Sequence, residues 1–368
     1  MRRAILFLLL PLIIGCQPRE EVTTEKLSAT RLLSAVDQQG FARAEKPRDF
    51  IFPQDHGPHP AFRNEWWYFT GNLQDQSGRR FGYQVTFFRF ALTPPSKKPS
   101  VSQWSNNPVW MAHAAITDSE AKRHLKQEKL VRAGPGLAGS EAQPFRVWVE
   151  DWQLQQGKAG LPWKIHINSE TFSLDLDVEP TIGVVLQGDK GLSQKSAEPG
   201  NASYYYSYPR LKSNGQIRIN EKQYRVSGHS WFDREWGTSA LSPEQTGWDW
   251  FSLQFNSGYN LMFYHLRNRQ GKADPFSAGS WIDKAGKTKR LSLDQIELTP
   301  LRWWKSANGN NYPVEWEMRI KSENRLLNIK PILDEQEMDL SVRYWEGAVD
   351  IYERGKSIGS GYLEMTGY

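Results

Sequence analysis

One feature constrains this chain before any other: a pair of apolar words that occurs twice, in the same order, along its length. Trp66-Trp67-Tyr68-Phe69-Thr70-Gly71-Asn72-Leu73, a turn, and Gly82-Tyr83-Gln84-Val85-Thr86-Phe87-Phe88-Arg89 match Trp248-Asp249-Trp250-Phe251-Ser252-Leu253-Gln254-Phe255, a shorter turn, and Gly258-Tyr259-Asn260-Leu261-Met262-Phe263-Tyr264-His265. Each pair reads as a β-hairpin, because aromatic and branched residues run up to turns of Gly, Asn and Ser. Further along, Leu176-Asp177-Val178-Glu179-Pro180 answers Leu327-Asn328-Ile329-Lys330-Pro331, and Ser227-Gly228-His229 answers Ser360-Gly361-Tyr362. Several words in one order indicate an internal duplication. The spacing predicts a β domain over 48–233 and its relative over 234–368.

Between these words apolar and polar residues alternate, as in Phe145-Arg146-Val147-Trp148-Val149 and Thr171-Phe172-Ser173-Leu174-Asp175-Leu176. Past the N-terminal segment, no long stretch keeps a helical period. Many short antiparallel strands predict an all-β chain of sandwiches or barrels, and a barrel is preferred because closure removes sheet edges and can enclose a ligand. Aromatic residues are abundant, with 16 Trp, 14 Tyr and 17 Phe, which suits either a filled β core or a cavity for an extended apolar ligand.

The N-terminus predicts export. Arg2 and Arg3 precede an apolar run from Ala4 to Ile14 that is too short to span a bilayer but fits a signal peptide over 1–15. It ends at Gly15-Cys16, the single cysteine of the chain, in an arrangement that resembles the bacterial lipobox. Acylation of Cys16 then gives a lipid anchor. Residues 16–47 read as a polar tether, and Gln17 after the cysteine favours the outer membrane, facing the periplasm. The formal charge of +5, without a Lys/Arg cluster, argues against a nucleic-acid partner.

Candidate chemistry gathers around Gly228 to Trp236. With a period of two, His229, Trp231, Asp233 and Glu235 point one way, and Ser230, Phe232, Arg234 and Trp236 the other. Asp249 shares a face with Phe251, Leu253 and Phe255, where poor solvation is expected to raise its pKa. A protonated Asp249 is a candidate general acid, and Trp231 offers a ring face to a cation. The competing reading makes Asp233, Arg234, Glu235 and Asp249 a structural ion-pair network between the two domains.

Candidate ligand contacts are Glu65, Trp67, Arg89, Arg234, Trp250 and His265. For Glu65 a salt bridge with Arg63 or Arg89 competes with a place in the cavity. Arg89 and His265, at equivalent repeat positions, could hold a headgroup or sit in water at strand ends. His56 and His59 have metal-like spacing but lie in a Gly57-Pro58 loop without an evident third ligand, so no metal is expected. Gly355-Lys356-Ser357-Ile358-Gly359 fits a nucleophile-elbow pattern but has no helix after it, which counts against a serine hydrolase. With no phosphate-binding glycine loop either, no cofactor is expected.

Asn64-Glu65-Trp66-Trp67-Tyr68-Phe69-Thr70-Gly71-Asn72-Leu73, Gly228-His229-Ser230-Trp231-Phe232-Asp233-Arg234-Glu235-Trp236-Gly237 and Gly361-Tyr362-Leu363-Glu364-Met365-Thr366-Gly367-Tyr368 resemble the AttH/CrtC family of tandem lipocalin-like proteins. The resemblance implies two lipocalin-like antiparallel β-barrels. It also implies relatives of two kinds: carotenoid 1,2-hydratases, and predicted secreted hydrolases of unassigned function, some encoded beside ABC-transporter components. In the hydratases a His-x-Trp pair and a Tyr-x-Asp pair line the site. Here His229-Ser230-Trp231 matches, whereas Gly247-Trp248-Asp249 has Gly in place of Tyr. Two expectations follow. The preferred one is a lipid-anchored binding module for an apolar lipid or isoprenoid-like ligand, accessory to an ABC-type transport system. The other is a cofactor-free hydratase or hydrolase acting on such a ligand, with Asp249 as acid.

Overall fold

The structure, a computed structural model, describes residues 27–28, 39–95, 108–132, 134, 136–238 and 241–368. The expected signal peptide and Cys16 lie outside the described residues. Eleven main strands build the first sheet: β1 Asn64–Asp75, β2 Arg80–Ala91, β3 Pro108–Asp118, β4 Arg123–Arg132, β5 Ala138–Ala142, β6 Phe145–Val149, β7 Trp152–Gly157, β8 Gly160–Asn168, β9 Phe172–Pro180, β10 Ala202–Ile219 and β11 Lys222–Gly237. Nine build the second: β12 Gln245–Phe255, β13 Asn260–Asn268, β14 Ala278–Ile282, β15 Thr288–Ser292, β16 Ile296–Lys305, β17 Asn311–Ile320, β18 Arg325–Pro331, β19 Val342–Glu353 and β20 Lys356–Met365.

The two sheets share one plan. Their orders are β4-β3-β2-β1-β11-β10-β9-β8-β7-β6-β5 and β15-β14-β13-β12-β20-β19-β18-β17-β16. In each, every pair of sequence neighbours is joined except the fourth and fifth strands (β4 and β5, β15 and β16), the first strand pairs with the last, and the ring is open after the fourth. This is an up-and-down, lipocalin-like barrel left open at one seam, built twice. The repeated words fall on matching strands: the hairpins on β1–β2 and β12–β13, and the later words on β9 with β18 and β11 with β20.

Two sequence expectations need correction. The chain does not change over at 233/234. Strand β11 stays in register with β1 as far as Gly237–Asn64, so the changeover lies between Gly237 and Gln245. Nor is the described part of 16–47 a free tether. Leu27–Ser28 pairs in parallel with Val342–Arg343 of β19, Ala44 is fully buried, and the Tyr204 hydroxyl donates to the Lys46 carbonyl at 3.0 Å.

Each barrel is filled by its own side chains. Trp67, Phe69, Tyr83, Trp163, Phe232 and Trp236 belong to the first core, and Phe251, Leu253, Phe263, Trp316, Trp345 and Met365 to the second. The expectation that closure shelters a ligand inside a barrel is therefore overturned. Here the aromatic abundance serves packing, at roughly 1.5–3 kcal/mol for each large apolar side chain removed from water.

The outer faces explain the rest of the abundance. Strand β9 alternates buried and solvent-facing residues, as a half-buried strand should. Strands β1, β2, β12 and β19, in contrast, are buried on both faces. Their second faces pack against the other barrel, where Tyr68, Trp231, Trp250, Met262 and Tyr362 form a third apolar cluster. A Cβ at Gly82 would come within 2.6 Å of the Ala348 Cβ, so glycine permits the close approach of the sheets here. Polar bonds fasten the contact. Asn72 donates to the Gly361 carbonyl at 2.9 Å, Arg80 pairs with Asp350 at 2.6 Å, and Gln254 donates to the Pro209 and Ser230 carbonyls, both at 2.9 Å. Gln254→Ala leaves those two carbonyls short of a buried donor. The expected loss is about 1–3 kcal/mol of unfolding free energy, read from urea denaturation, without a change in secondary structure.

Candidate functional site

Where the barrels meet back to back, the outer faces of β1, β2, β3, β10 and β11 stand opposite those of β12, β13, β19 and β20 and enclose a cavity of about 120 Å³. Period-two geometry selects its lining. On the first barrel it takes Trp66 and Tyr68 but not Trp67, and Asp233 and Glu235 but not Arg234. On the second it takes Trp248 and Trp250 but not Asp249, and Tyr344 and Glu346 but not Trp345.

Four carboxyl groups, Asp233, Glu235, Glu346 and Glu364, enter this largely aromatic space, and each is held differently. Asp233 accepts three hydrogen bonds, from Tyr205 hydroxyl, Ser207 hydroxyl and Trp231 Nε1, all at 2.6 Å. Burial raises its pKa and these donors pull it back, leaving it at about 7. Glu364 accepts one bond, from Trp248 Nε1 at 2.8 Å, and burial likewise lifts it to about 7. Glu235 is matched by Lys195, 3.3 Å away, and accepts from Ser203.

Glu346 is the exception. Only 1% exposed, it has no hydrogen-bond partner for either oxygen among the described residues. Burial, then the nearby Glu364, drives its pKa well above the ordinary carboxyl range, and Tyr68 and Tyr344 only partly oppose this. Burial thus favours its neutral form, a carboxylic acid with a proton to give.

The sequence-derived candidates separate into three places. Asp233, Glu235 and Trp250 line the cavity, and Trp231 sits behind Asp233 as its donor. His229 lies on the same face of β11 but farther along, in solvent and outside the cavity. Asp249 is a correction: it points into the second barrel, where it meets Arg267, His265 at 2.9 Å and the Tyr368 hydroxyl at 2.7 Å. Burial tends to raise its pKa, but Arg267, His265 and Tyr368 outweigh that and the pKa is lowered, so Asp249 is an ionised anchor and His265 its partner.

Glu65, Trp67, Arg89 and Arg234 are likewise inside the first barrel. Arg234 pairs with Glu65 and lies 3.8 Å from the Trp67 ring centroid, and Arg89 meets Glu65 at 2.9 Å. Burial is again outweighed, chiefly by Arg234, and the Glu65 pKa is strongly depressed. The expected ion-pair network of Asp233, Arg234, Glu235 and Asp249 between the two domains is therefore corrected: Arg234 and Asp249 belong to two separate networks, one inside each barrel, and Asp233 and Glu235 to neither. His59 joins the first of them, 2.9 Å from Asp55, and His56 Nδ1 lies 2.6 Å from the Tyr206 hydroxyl. Among the described residues no group of three or more His, Cys, Asp or Glu side chains is arranged to hold a metal ion.

Sequence reasoning passed over Glu346, Glu364, Lys195, Tyr205 and Trp248. The available signal was an acid inside a strand that is apolar on both faces, as at Tyr344-Trp345-Glu346-Gly347-Ala348. Such a residue cannot reach water on either side.

The comparisons with known proteins fit this architecture. The family model described as AttH-like matches residues 43–368. A crystal structure of the AttH-type protein from Nitrosomonas europaea superimposes with a TM-score of 0.80 at 32% identity, covering 89% of this chain and 100% of that one. Kievitone hydratase of Fusarium solani subsp. phaseoli is 23% identical over 251 residues, 65% of this chain and 67% of the relative. The crystal structure of kievitone hydratase from Nectria haematococca aligns with a TM-score of 0.65 at 16% identity, covering 89% and 98%.

The two kinds of buried carboxyl predict opposite responses. Glu65→Gln strands two arginines and is expected to cost roughly 3–5 kcal/mol. Glu346→Gln replaces a group whose neutral form burial favours and is expected to stay within about 1 kcal/mol of the parent. For pH, the folded protein binds more protons at Asp233 and Glu364 than the unfolded chain does, from their ordinary values up to about 7. The stability they contribute is complete below their unfolded values and is lost as pH rises through about 7. Depressed Glu65 and Asp249 contribute with the opposite sign, and their share is lost as pH falls below the ordinary carboxyl range. Between about pH 5 and about pH 8 the Asp233→Asn, Glu364→Gln double variant should therefore lose less, or gain more, in thermal midpoint than the parent does over the same range.

Proposed function

The chain belongs to the AttH-like family, and on that premise we propose that it is a cofactor-free hydratase acting in the inter-barrel cavity on a carbon–carbon double bond of an apolar, isoprenoid-like substrate. The observation that carries the reading is the contrast between Glu346, buried, pushed toward its neutral form and without a hydrogen-bond partner among the described residues, and Asp233, presented as an acceptor by three donors in the same apolar space. Acid and base are set apart by environment alone.

In this reading Glu346 transfers its proton to the less substituted alkene carbon. The π electrons form the new C–H bond and leave a tertiary cation on the neighbouring carbon. Ring faces of Trp66, Trp248 and Trp250 stabilise that charge, and the Glu346 carboxylate left behind does so as well. Water adds to the cation while Asp233 takes its proton, so the product is the substrate plus one water. Proton exchange with solvent then restores both groups. The kievitone hydratases support the reaction class by their names, and this chain's own residues support the roles.

A holding role without turnover is the remaining alternative for the same cavity, since the barrels themselves are filled. Export, acylation of Cys16, a periplasm-facing outer-membrane position and supply of the apolar substrate by ABC-type transport components remain part of the proposal. They rest on residues 1–17 and on family resemblance.

The test is incubation of the purified protein with prenylated phenols and short acyclic isoprenoids, followed by mass spectrometry. A gain of one water that falls roughly 10²–10⁴-fold in Glu346→Gln and in Asp233→Asn is expected, with activity declining below about pH 7 as Asp233 protonates. Retention of these ligands without any water gain would identify a carrier instead. Unchanged turnover in both variants would remove the catalytic assignment.

A further inference from the structure

The cavity is unbalanced in charge. Among the described residues, Asp233, Glu235, Glu346 and Glu364 line it against one ammonium, Lys195, and no guanidinium. Inside the barrels the same chain does the reverse, giving Glu65 two arginines and Asp249 one. The Glu346 carboxyl, without a hydrogen-bond partner among the described residues, therefore faces a space whose one ammonium, Lys195, is already matched to Glu235.

The remaining walls are ring faces, among them Trp66, Tyr68, Phe88, Trp248, Trp250 and Tyr264. Ring faces attract cations, most strongly where water is excluded. Lys195 shows this inside the molecule, with Nζ 4.1 Å from the Tyr264 ring centroid and 3.3 Å from Glu235.

We propose that the inter-barrel cavity is a cation site that takes a small tertiary or quaternary ammonium group carried on an apolar body, seated among the ring faces and opposite Glu346, whose carboxyl gives up its proton to solvent when the cation binds. The inference deepens the hydration reading, since the field that holds an ammonium also holds the tertiary cation of that reaction. Ammonium binding, however, requires neither a double bond nor turnover. The cavity volume of about 120 Å³ admits a trimethylammonium head.

Affinity has a definite pH sign. Glu346 is faced by Tyr344, Tyr362 and Glu364 from its own sheet, by Tyr68, His113, Asp233 and Glu235 from the first barrel, and by Lys195. The cation favours the ionised carboxyls, so binding strengthens as pH rises through about 7 and releases protons below it.

The probes are choline and its uncharged isostere 3,3-dimethylbutan-1-ol, which share a shape and differ by one charge. Isothermal titration calorimetry on the intact protein at about pH 6 and about pH 8.5, in buffers of different ionisation enthalpy, measures affinity and protons released. We expect choline to bind about tenfold more tightly than the isostere, and the ratio to grow at the higher pH. Both Glu346→Gln and Trp66→Leu should erase most of it. Equal binding of the two probes, binding of neither, or a choline preference untouched by both variants overturns the cation site. A protein that adds water yet treats the probes alike keeps the hydratase reading and loses this one. A protein that prefers choline and never adds water does the opposite.

Discussion

Back-to-back contact between the two barrels is the constraint on which the rest of the structure depends. A strand normally buries one face and wets the other, and β9 does so. The strands that begin and end each barrel bury both, because their outer faces are the floor of the other half. A chain with this contact cannot afford charges on those outer faces unless each is compensated. That the faces nevertheless carry Asp233, Glu235, Glu346 and Glu364 marks this seam as more than packing.

The molecule shows two ways of burying a carboxyl group. Inside the barrels, Glu65 and Asp249 sit against guanidinium groups that also lie over rings, Arg234 over Trp67 and Arg267 over Tyr368, each at 3.8 Å. Attraction from the guanidinium outweighs the desolvation cost there, and the carboxylates stay ionised. Between the barrels the compensation is weaker: three neutral donors for Asp233, one for Glu364, none for Glu346. Desolvation then prevails: Asp233 and Glu364 both come to about 7, and Glu346 is driven well above the ordinary carboxyl range. Neutral hydrogen bonds offset burial only in part here, whereas charge pairing inside the barrels outweighs it.

Much of the fold was legible in the residues themselves. Repeated words located both first hairpins, and alternation identified strands and an all-β class. Period-two reasoning placed Trp231, Asp233 and Glu235 on one face of β11 and Phe232, Arg234 and Trp236 on the other, as the structure has them. The same reasoning misassigned Asp249. Sharing a face with Phe251 and Leu253 was read as poor solvation, but the barrel interior also delivers Arg267 from the neighbouring strand and Tyr368 from the chain end. Those partners are 18 and 119 positions away in sequence, and no local pattern shows that they converge.

What the sequence determined by itself was periodic and local: duplication, strand, and which side chains share a face, because a strand's alternation is a property of consecutive residues. Which face meets solvent, which meets its own barrel and which meets the other one was decided only by tertiary structure. Glu346 illustrates the difference. Its strand dictates that it points away from Trp345, and only the arrival of the first barrel turns that direction from water into a closed aromatic seam. The protonation of a carboxyl group depends on every dipole and charge within several ångströms, so its chemistry is set by neighbours that chain order does not list.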